Sequence, residues 1–541
     1  MKKSILILVT AVLSFSSCMD EFLDIQPVSD LSTDKYWKTD DDVRSALNSA
    51  YSFIQSTYNY GYTSWYEGRC ENWAPLSTTN TLGTTFNVLT NQMGPSNWTG
   101  WYSIINVANY GLYYIPQVPL TDEIKKKHYI AEAYFLRAFA YFNIARIWGD
   151  APLVLKPTIT VDDIEYPYKS SQALILDQIA RDIDSSLVKA DLSGTSSGSR
   201  KVEKSKFSTA ALYALATDFY MWRHEYQKAL DYSTAINFSV NSTTIALNAT
   251  ADYSKLFTPA DAVSQNENIW VLQWDYINQN NMINYGAWNF MSPTSPSYTF
   301  SSWFYSGSSY KAELLPSLNY KANNGWMFDV YYKNDKRKAY TLDTVAGGSS
   351  QATQYVLASA VSKTIWKYNG GVKTVSADQS KNFPLVMYRY ADILLLRAEA
   401  YNRLGDITNA VAELRKVRDR AGLNGVNVKV NEYFPGAGIN QTRAVTDYVA
   451  DGPNGMSNQL ELDILKERSI ELIGEGKRWF DLMRTGRAMA IMNDYYDFAL
   501  TITSTVKLNK YTDEKQLYWP VFYRNLITNP NLDSTITTVN P

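Results

Sequence analysis

Two stretches of this chain repeat one local plan: a helix-length apolar pattern, a tight turn, then a second helix with an apolar opening residue and alanine three positions later. Phe207 to Trp222 and Tyr226 to Phe238 form the first pair, turning around His224 and Glu225. Tyr388 to Leu404 and Ile407 to Ala421 form the second, turning at Gly405 and Asp406. The shared positions are Tyr226 with Ala229, and Ile407 with Ala410. A small side chain at that point lets two antiparallel helices approach closely, so each pair is predicted as a helical hairpin.

The same periodicity runs elsewhere. Val43, Leu47, Tyr51 and Ile54 recur at helix spacing behind the N-cap residue Thr39. Ala131, Phe135, Ala138, Phe142 and Ala145 make one stripe on a longer helix, which Gly149 and Pro152 stop. Trp101, Tyr102, Ile105 and Asn109 fit a helical pattern and are assigned to the core. The segment from about Asn241 to Asn382 differs, being rich in Ser, Asn, Gly and aromatics, with strand-like pieces such as Asn268 to Trp274. The expected fold is mainly α. Tetratricopeptide-like helical hairpins form a scaffold over about 36–240 and 383–541, carrying a large loop-rich insertion at about 241–382. Residues 18–541 are read as one domain, and the scattered hairpins argue against a regular uninterrupted array.

The chain start reads as an export signal. Lys2 and Lys3 precede an apolar run, Ser4 to Phe15, too short to span a bilayer, and Ser16, Ser17 and Cys18 follow. Residues 1–17 are therefore expected to be removed, leaving Cys18 as a lipidated first residue in the manner of bacterial lipoproteins. The acidic pair Asp20 and Glu21 resembles the surface-export signal of Bacteroidetes lipoproteins, which points to the outer face of the outer membrane. Cys70 is the only other cysteine, so a lipidated Cys18 leaves no internal disulfide. Lys+Arg and Asp+Glu nearly cancel, at 51 against 53, and no long basic run occurs, which argues against nucleic-acid binding. His128 and His224 belong to no metal-ligand motif, so neither metal nor cofactor is expected.

Aromatic content sets the ligand expectation, at 41 Tyr, 15 Trp and 20 Phe. Sugar rings offer apolar C–H faces ringed by hydroxyls, so a glycan site wants aromatic platforms with polar side chains beside them. One stretch of that kind holds Trp65, Arg69, Asn72 and Trp73; another holds Trp288, Asn289, Trp303, Tyr305 and Trp326. For each tryptophan, packing competes with ligand contact. Glu467, Glu471 and Glu475 lie one helical turn apart with Arg468, Arg478 and Arg484 nearby. Glycosidases need two carboxyl groups about 5–9.5 Å apart in contrasting environments. Three acids on one helix face among arginines read instead as a salt-bridged brace, and no catalytic residue is assigned. Arg389, Asp392, Arg397 and Glu399, inside an apolar helical pattern, are expected to pair with neighbouring helices.

Several segments together carry a family resemblance. CMDEFLDIQP, TDKYW and ALNSAY open the mature chain, and AEAYFLRAFAYFNIARIWGDAPLV spans 131–154. RYADILLLRAEAYNRLGD is followed by RKVRDRAGL, then by KERSIELIGEGKRWFDLMRTG at 466–486 and LYWPVFYRNLITNPNL at the end. In this order they resemble the SusD/RagB family of nutrient-binding outer-membrane lipoproteins. The tail departs from the family pattern at Val521, Phe522 and Asn525. The resemblance implies a non-catalytic protein that binds glycan through its early and middle insertions and passes it to a SusC-like TonB-dependent transporter. A peptide-binding member of the same family is the alternative. A secreted glycosidase and a tetratricopeptide-type interaction scaffold are the competing classes.

Overall fold

The computed structural model describes residues 36–75, 83–190, 204–236, 245–274, 298–300, 335–337, 383–423, 445–502 and 508–532, with backbone alone at 73–75, 298–300 and 498–502. Helix α1 (Asp40–Trp65) opens on a capping box: the Thr39 hydroxyl accepts from the Asp42 amide, and the Asp42 carboxylate accepts from the Thr39 amide. Val43, Leu47, Tyr51 and Ile54 all turn into the core, as the spacing predicts. Helices α2 (Thr99–Tyr114) and α3 (Glu123–Trp148) follow. From Phe135 to Trp148 every residue of α3 is buried, so this helix runs through the centre of the protein and has no solvent face to pattern. Gly149 ends it at φ 75°, a conformation that favours glycine.

The chain continues through α4 (Gln172–Ala190), α5 (Thr209–Trp222) and α6 (Tyr226–Ala235). Beyond the insertion come α7 (Tyr390–Arg403), α8 (Ile407–Arg420), α9 (Asn458–Glu471), α10 (Arg478–Arg484), α11 (Ala488–Ile502) and α12 (Tyr523–Thr528). Each helix from α1 to α9 packs on the next, including α6 on α7, so the interruption between the two hairpins is one of sequence and not of space. The mainly α, tetratricopeptide-like scaffold is the observed architecture. Its two hairpin turns match in detail. Glu225 N–H donates to the Tyr220 carbonyl and Asp406 N–H to the Tyr401 carbonyl, each across a residue at positive φ, His224 and Gly405. A Cβ at Gly405 would lie 2.5 Å from the Asn454 carbonyl oxygen, so glycine is required there. His224 is held at φ 60° with its Nε2 3.1 Å from the Arg484 carbonyl oxygen.

The strands are short and antiparallel. Strand β1 (Trp73–Pro75) pairs with β5 (Tyr298–Phe300), β2 (Ala151–Pro152) with β3 (Lys169–Ser170), and β4 (Asn268–Leu272) with β6 (Leu385–Arg389). The sequence pattern assigned Tyr388 and Arg389 to a helix. They belong to β6, because pairing with the fully buried β4 holds them extended until α7 begins at Tyr390. The β4–β6 pair closes the insertion at its base, which is why α6 and α7 can pack side by side.

The brace expected on α9 exists, with different partners. Arg337 binds Asp335, Glu467 and Glu471, each at 2.6 Å. Arg389 binds Glu267 at 2.7 Å and Glu475 at 2.8 Å and also reaches Glu471. Arg418 binds Glu467 at 3.0 Å, and Arg420 bridges Glu267 and Glu471. All of these side chains are buried. Arg468 and Arg484 serve a neighbouring cluster with Asp392, Glu399 and Asp481, while Arg478 binds Glu71. Burial pushes the Asp392 carboxyl up, but the charges of Lys477 and Arg468 outweigh it and hold the group at about 2. Removing one partner of a buried ion network leaves charges uncompensated, at a cost on the order of 3–5 kcal/mol. Arg389→Met is therefore expected to lower the urea denaturation midpoint by that scale of stability; an unchanged midpoint would refute the brace.

Candidate functional site

The stretch from Trp65 to Trp73 caps α1 and turns through a short 3-10 segment, Glu67–Arg69. Trp65 is 1% exposed; its indole N–H donates to the Pro95 carbonyl at 2.6 Å, and its ring packs on Trp101 and Trp148. The Arg69 guanidinium lies 4.3 Å from the centre of the Trp479 ring and donates to the Leu517 and Gln516 carbonyls and the Tyr511 hydroxyl. Glu67 accepts from the Gly476 amide, Glu71 binds Arg478, and Asn72 accepts from Ser469. Trp65, Arg69 and Asn72 were expected at a ligand and instead are buried, fastening the end of α1 to the Gly474–Trp479 turn and the C-terminal tail.

Trp73 is placed differently. Its backbone lies in β1, opposite Phe300, with Ala74 opposite Thr299 and Pro75 opposite Tyr298. The two aromatic stretches singled out from the sequence thus meet in one ladder. Trp303 and Tyr305 follow Phe300 by three and five positions in the chain. Trp288, Asn289, Trp303, Tyr305 and Trp326 lie outside the described residues, as does Cys18.

A second feature went unnoticed in the sequence. A cleft of about 580 Å³ opens between α1 and the end of β4, lined by Asn48, Ser52 and Gln55 on one side and Gln273 and Trp274 on the other. The Gln55 side-chain amide donates to the Gln273 carbonyl, which ties the two walls together. Asn48 and Ser52 stand one turn apart on a helix whose apolar stripe dominates its pattern, so their shared face left only a faint signal. Beside the cleft, the Lys204 carbonyl accepts from the Val271 amide at 2.8 Å and so occupies the edge of β4 that β6 does not.

On α9, Glu467 is held in its ionised form by buried arginines. Burial raises Glu467, but the charges of Arg337 and Arg418 outweigh it and hold the carboxyl below its usual range. A general acid of a glycosidase needs the opposite shift. Among the described residues, no helix is long and apolar enough to cross a membrane.

Residues 217–536, more than half of the chain, match the SusD family. The chain belongs to the SusD family. Residues 21–221 match a further SusD-like family described as starch-binding and associating with the outer membrane. SusD-like protein P38 of Formosa agariphila is 27% identical over 558 residues, covering 98% of each chain. SusD-like protein P2 of the same organism is 26% identical over 506 residues, covering 90% of this chain and 91% of its own. Among solved structures, a SusD superfamily protein of Bacteroides fragilis superposes with a TM-score of 0.66 at 18% identity, over 93% of this chain and 99% of its own. A laminarin-binding SusD-like protein gives 0.60 at 19% identity, over 90% and 97%. These structures share the SusD fold of the chain.

Lys204 offers a test of how the cleft wall is held. Its ammonium is buried and donates to the Gln265 backbone carbonyl, and among the described residues no carboxylate pairs with it. Burial pushes its pKa down to about 8 from 10.5. The unfolded chain then binds the proton more tightly than the folded one, so the penalty is full below pH 8 and disappears as pH rises to 10.5. Lys204→Met is expected to raise the melting temperature at pH 7 and to flatten the rise of stability between those two pH values. A variant with the wild-type slope would contradict this assignment.

Proposed function

We propose that this SusD-family protein is a cell-surface lipoprotein that captures a glycan and delivers it to a SusC-like TonB-dependent transporter, without cleaving it. The observation that carries the reading is the β1–β5 ladder, which joins the early and middle aromatic stretches at one place. A stacking site needs several rigid rings presented together, and two separate loops supply them only where the backbone brings them into register. The starch-binding description of the family matched at 21–221 and the laminarin-binding neighbour support a polysaccharide as the ligand. The arginine-bound state of Glu467, Glu471 and Glu475 supports binding over hydrolysis. Trp73, Trp288, Asn289, Trp303, Tyr305 and Trp326 are the proposed contacts, and Cys18 the lipid anchor.

Recognition is tested by affinity electrophoresis on starch and laminarin. Trp288→Ala and Trp303→Ala are each expected to weaken retention about tenfold, the scale of losing one large buried apolar side chain, with the helical circular-dichroism signal unchanged. Trp65→Ala serves as the contrast: it opens a core cavity and should lower stability by about 3–5 kcal/mol. Release of reducing sugar by purified protein would overturn the binder reading, and retention by peptide columns alone would overturn the ligand class.

Anchor and partner are tested in one fractionation. Wild-type protein should co-purify with a β-barrel partner in mild detergent, because tethering to the same membrane raises the effective concentration of a modest interface. Cys18→Ala should abolish membrane attachment and that recovery. Membrane attachment of a mature-length alanine variant would rule out the lipid anchor.

A further inference from the structure

The cleft between α1 and the end of β4 carries chemistry that the ladder does not account for. At about 580 Å³ it falls within the range of small-molecule sites, roughly 300–1,000 Å³. Asn48 and Ser52 line it from adjacent turns of α1, and neither side chain has a hydrogen-bond partner among the described residues. On the opposite wall Trp274 is 3% exposed, yet its indole N–H meets no acceptor among the described residues. A buried N–H without an acceptor forfeits a hydrogen bond it had in water, and bound ligand or solvent is what restores it. The lining residues include no carboxylate and one ammonium, that of Lys206. An amide, a hydroxyl and an indole beside an ammonium and without neighbouring acids suit a hydroxyl-rich partner better than a cation.

We infer that this cleft is a second saccharide-binding site, taking a sugar unit through the Asn48 amide, the Ser52 hydroxyl and Trp274. The inference rests on the glycan reading above and adds a location to it. A peptide is the poorer fit because extended peptides dock by adding to an open strand edge. Strand β4 has none at the cleft: β6 pairs with it on one side, and the Lys204 carbonyl takes the Val271 amide on the other. Gln273 and Trp274 also stand immediately before the segment that leads to β5, so the cleft and the ladder flank the same stretch of chain. A polysaccharide bound at both would gain from the second contact being intramolecular.

The test uses the intact lipoprotein in detergent, with maltohexaose and laminarihexaose as calorimetric probes. Asn48→Ala/Ser52→Ala removes two groups that have no partner among the described residues, so its melting temperature should equal that of the wild type. Its affinity for the hexasaccharide that binds should fall about five- to tenfold, the scale of one or two neutral hydrogen bonds. Ser52→Trp, placed at an exposed helical position, should block the cleft and weaken binding at least as much. Trp274→Phe should weaken it while keeping the ring. If the double variant and Ser52→Trp bind like the wild type while Trp303→Ala loses affinity, the cleft is no sugar site and the glycan reading stands. Failure of the wild type to bind any saccharide overturns both. Peptide binding that Ser52→Trp abolishes, in the absence of sugar binding, overturns the ligand class of the cleft.

Discussion

Burying a carboxylate costs several kcal/mol unless cations and hydrogen bonds replace the water it gives up, and this chain buries Glu467, Glu471 and Glu475 in succession along and just beyond α9. The arginines that compensate them come from separate parts of the chain. Arg389 ends β6, Arg418 and Arg420 lie on α8, and Arg337 comes from inside the insertion. Glu267, just before β4, joins the same network through Arg389 and Arg420. The two ends and one interior point of the insertion therefore converge on a single helix. Apolar residues of the same volume could fill this space, but they would not distinguish one incoming segment from another. Bidentate guanidinium–carboxylate geometry does, because a shifted register leaves a buried charge without its partner.

The neighbouring cluster fastens other parts by the same means. Arg468 and Lys477 hold Asp392 on α7, and Arg484 joins Glu399 of α7 to Asp481 of α10. A third set runs the other way, from the Trp65–Trp73 stretch to the turn after α9, through Glu67 with the Gly476 amide and Glu71 with Arg478. The turn at Gly474–Lys477 is thus held from three directions, and the two positive-φ glycines in it give the backbone the room to meet all three.

The first helix and the hairpins were legible in the sequence because their determinants are local: Thr39 for an N-cap, Ala229 and Ala410 for close approach, Gly405 for a turn. The brace was legible as a kind of interaction. Three acids at turn spacing in an apolar pattern demand buried cations. Its partners were not legible, since Arg337 lies 130 residues from Glu467 and no periodicity links the two. The nearest arginines in sequence, Arg468, Arg478 and Arg484, point off the glutamate face and bind elsewhere. The same limit explains the Trp65–Trp73 stretch. Aromatics interleaved with charge and amide describe an exposed sugar platform, and they describe equally a buried joint whose charges reach residues about 400 positions away.

That joint constrains where recognition can reside. The rings of Tyr58, Tyr62, Tyr66, Trp65, Trp101, Trp148 and Phe480 contact one another in one buried assembly around α1 and α3, and Arg146 is sandwiched between Phe142 and Phe480. A ring in such an assembly cannot stack on a ligand without opening a cavity in the core. Much of the aromatic content of the N-terminal third is therefore committed to stability. The insertion is tied to the core at Leu272, at the Asp335–Arg337 contact and at Leu385. Those anchors are the ion network and the β4–β6 pair. A scaffold that fixes an insertion through its own ion pairs and one short ladder can keep one architecture whatever ligand the insertion meets.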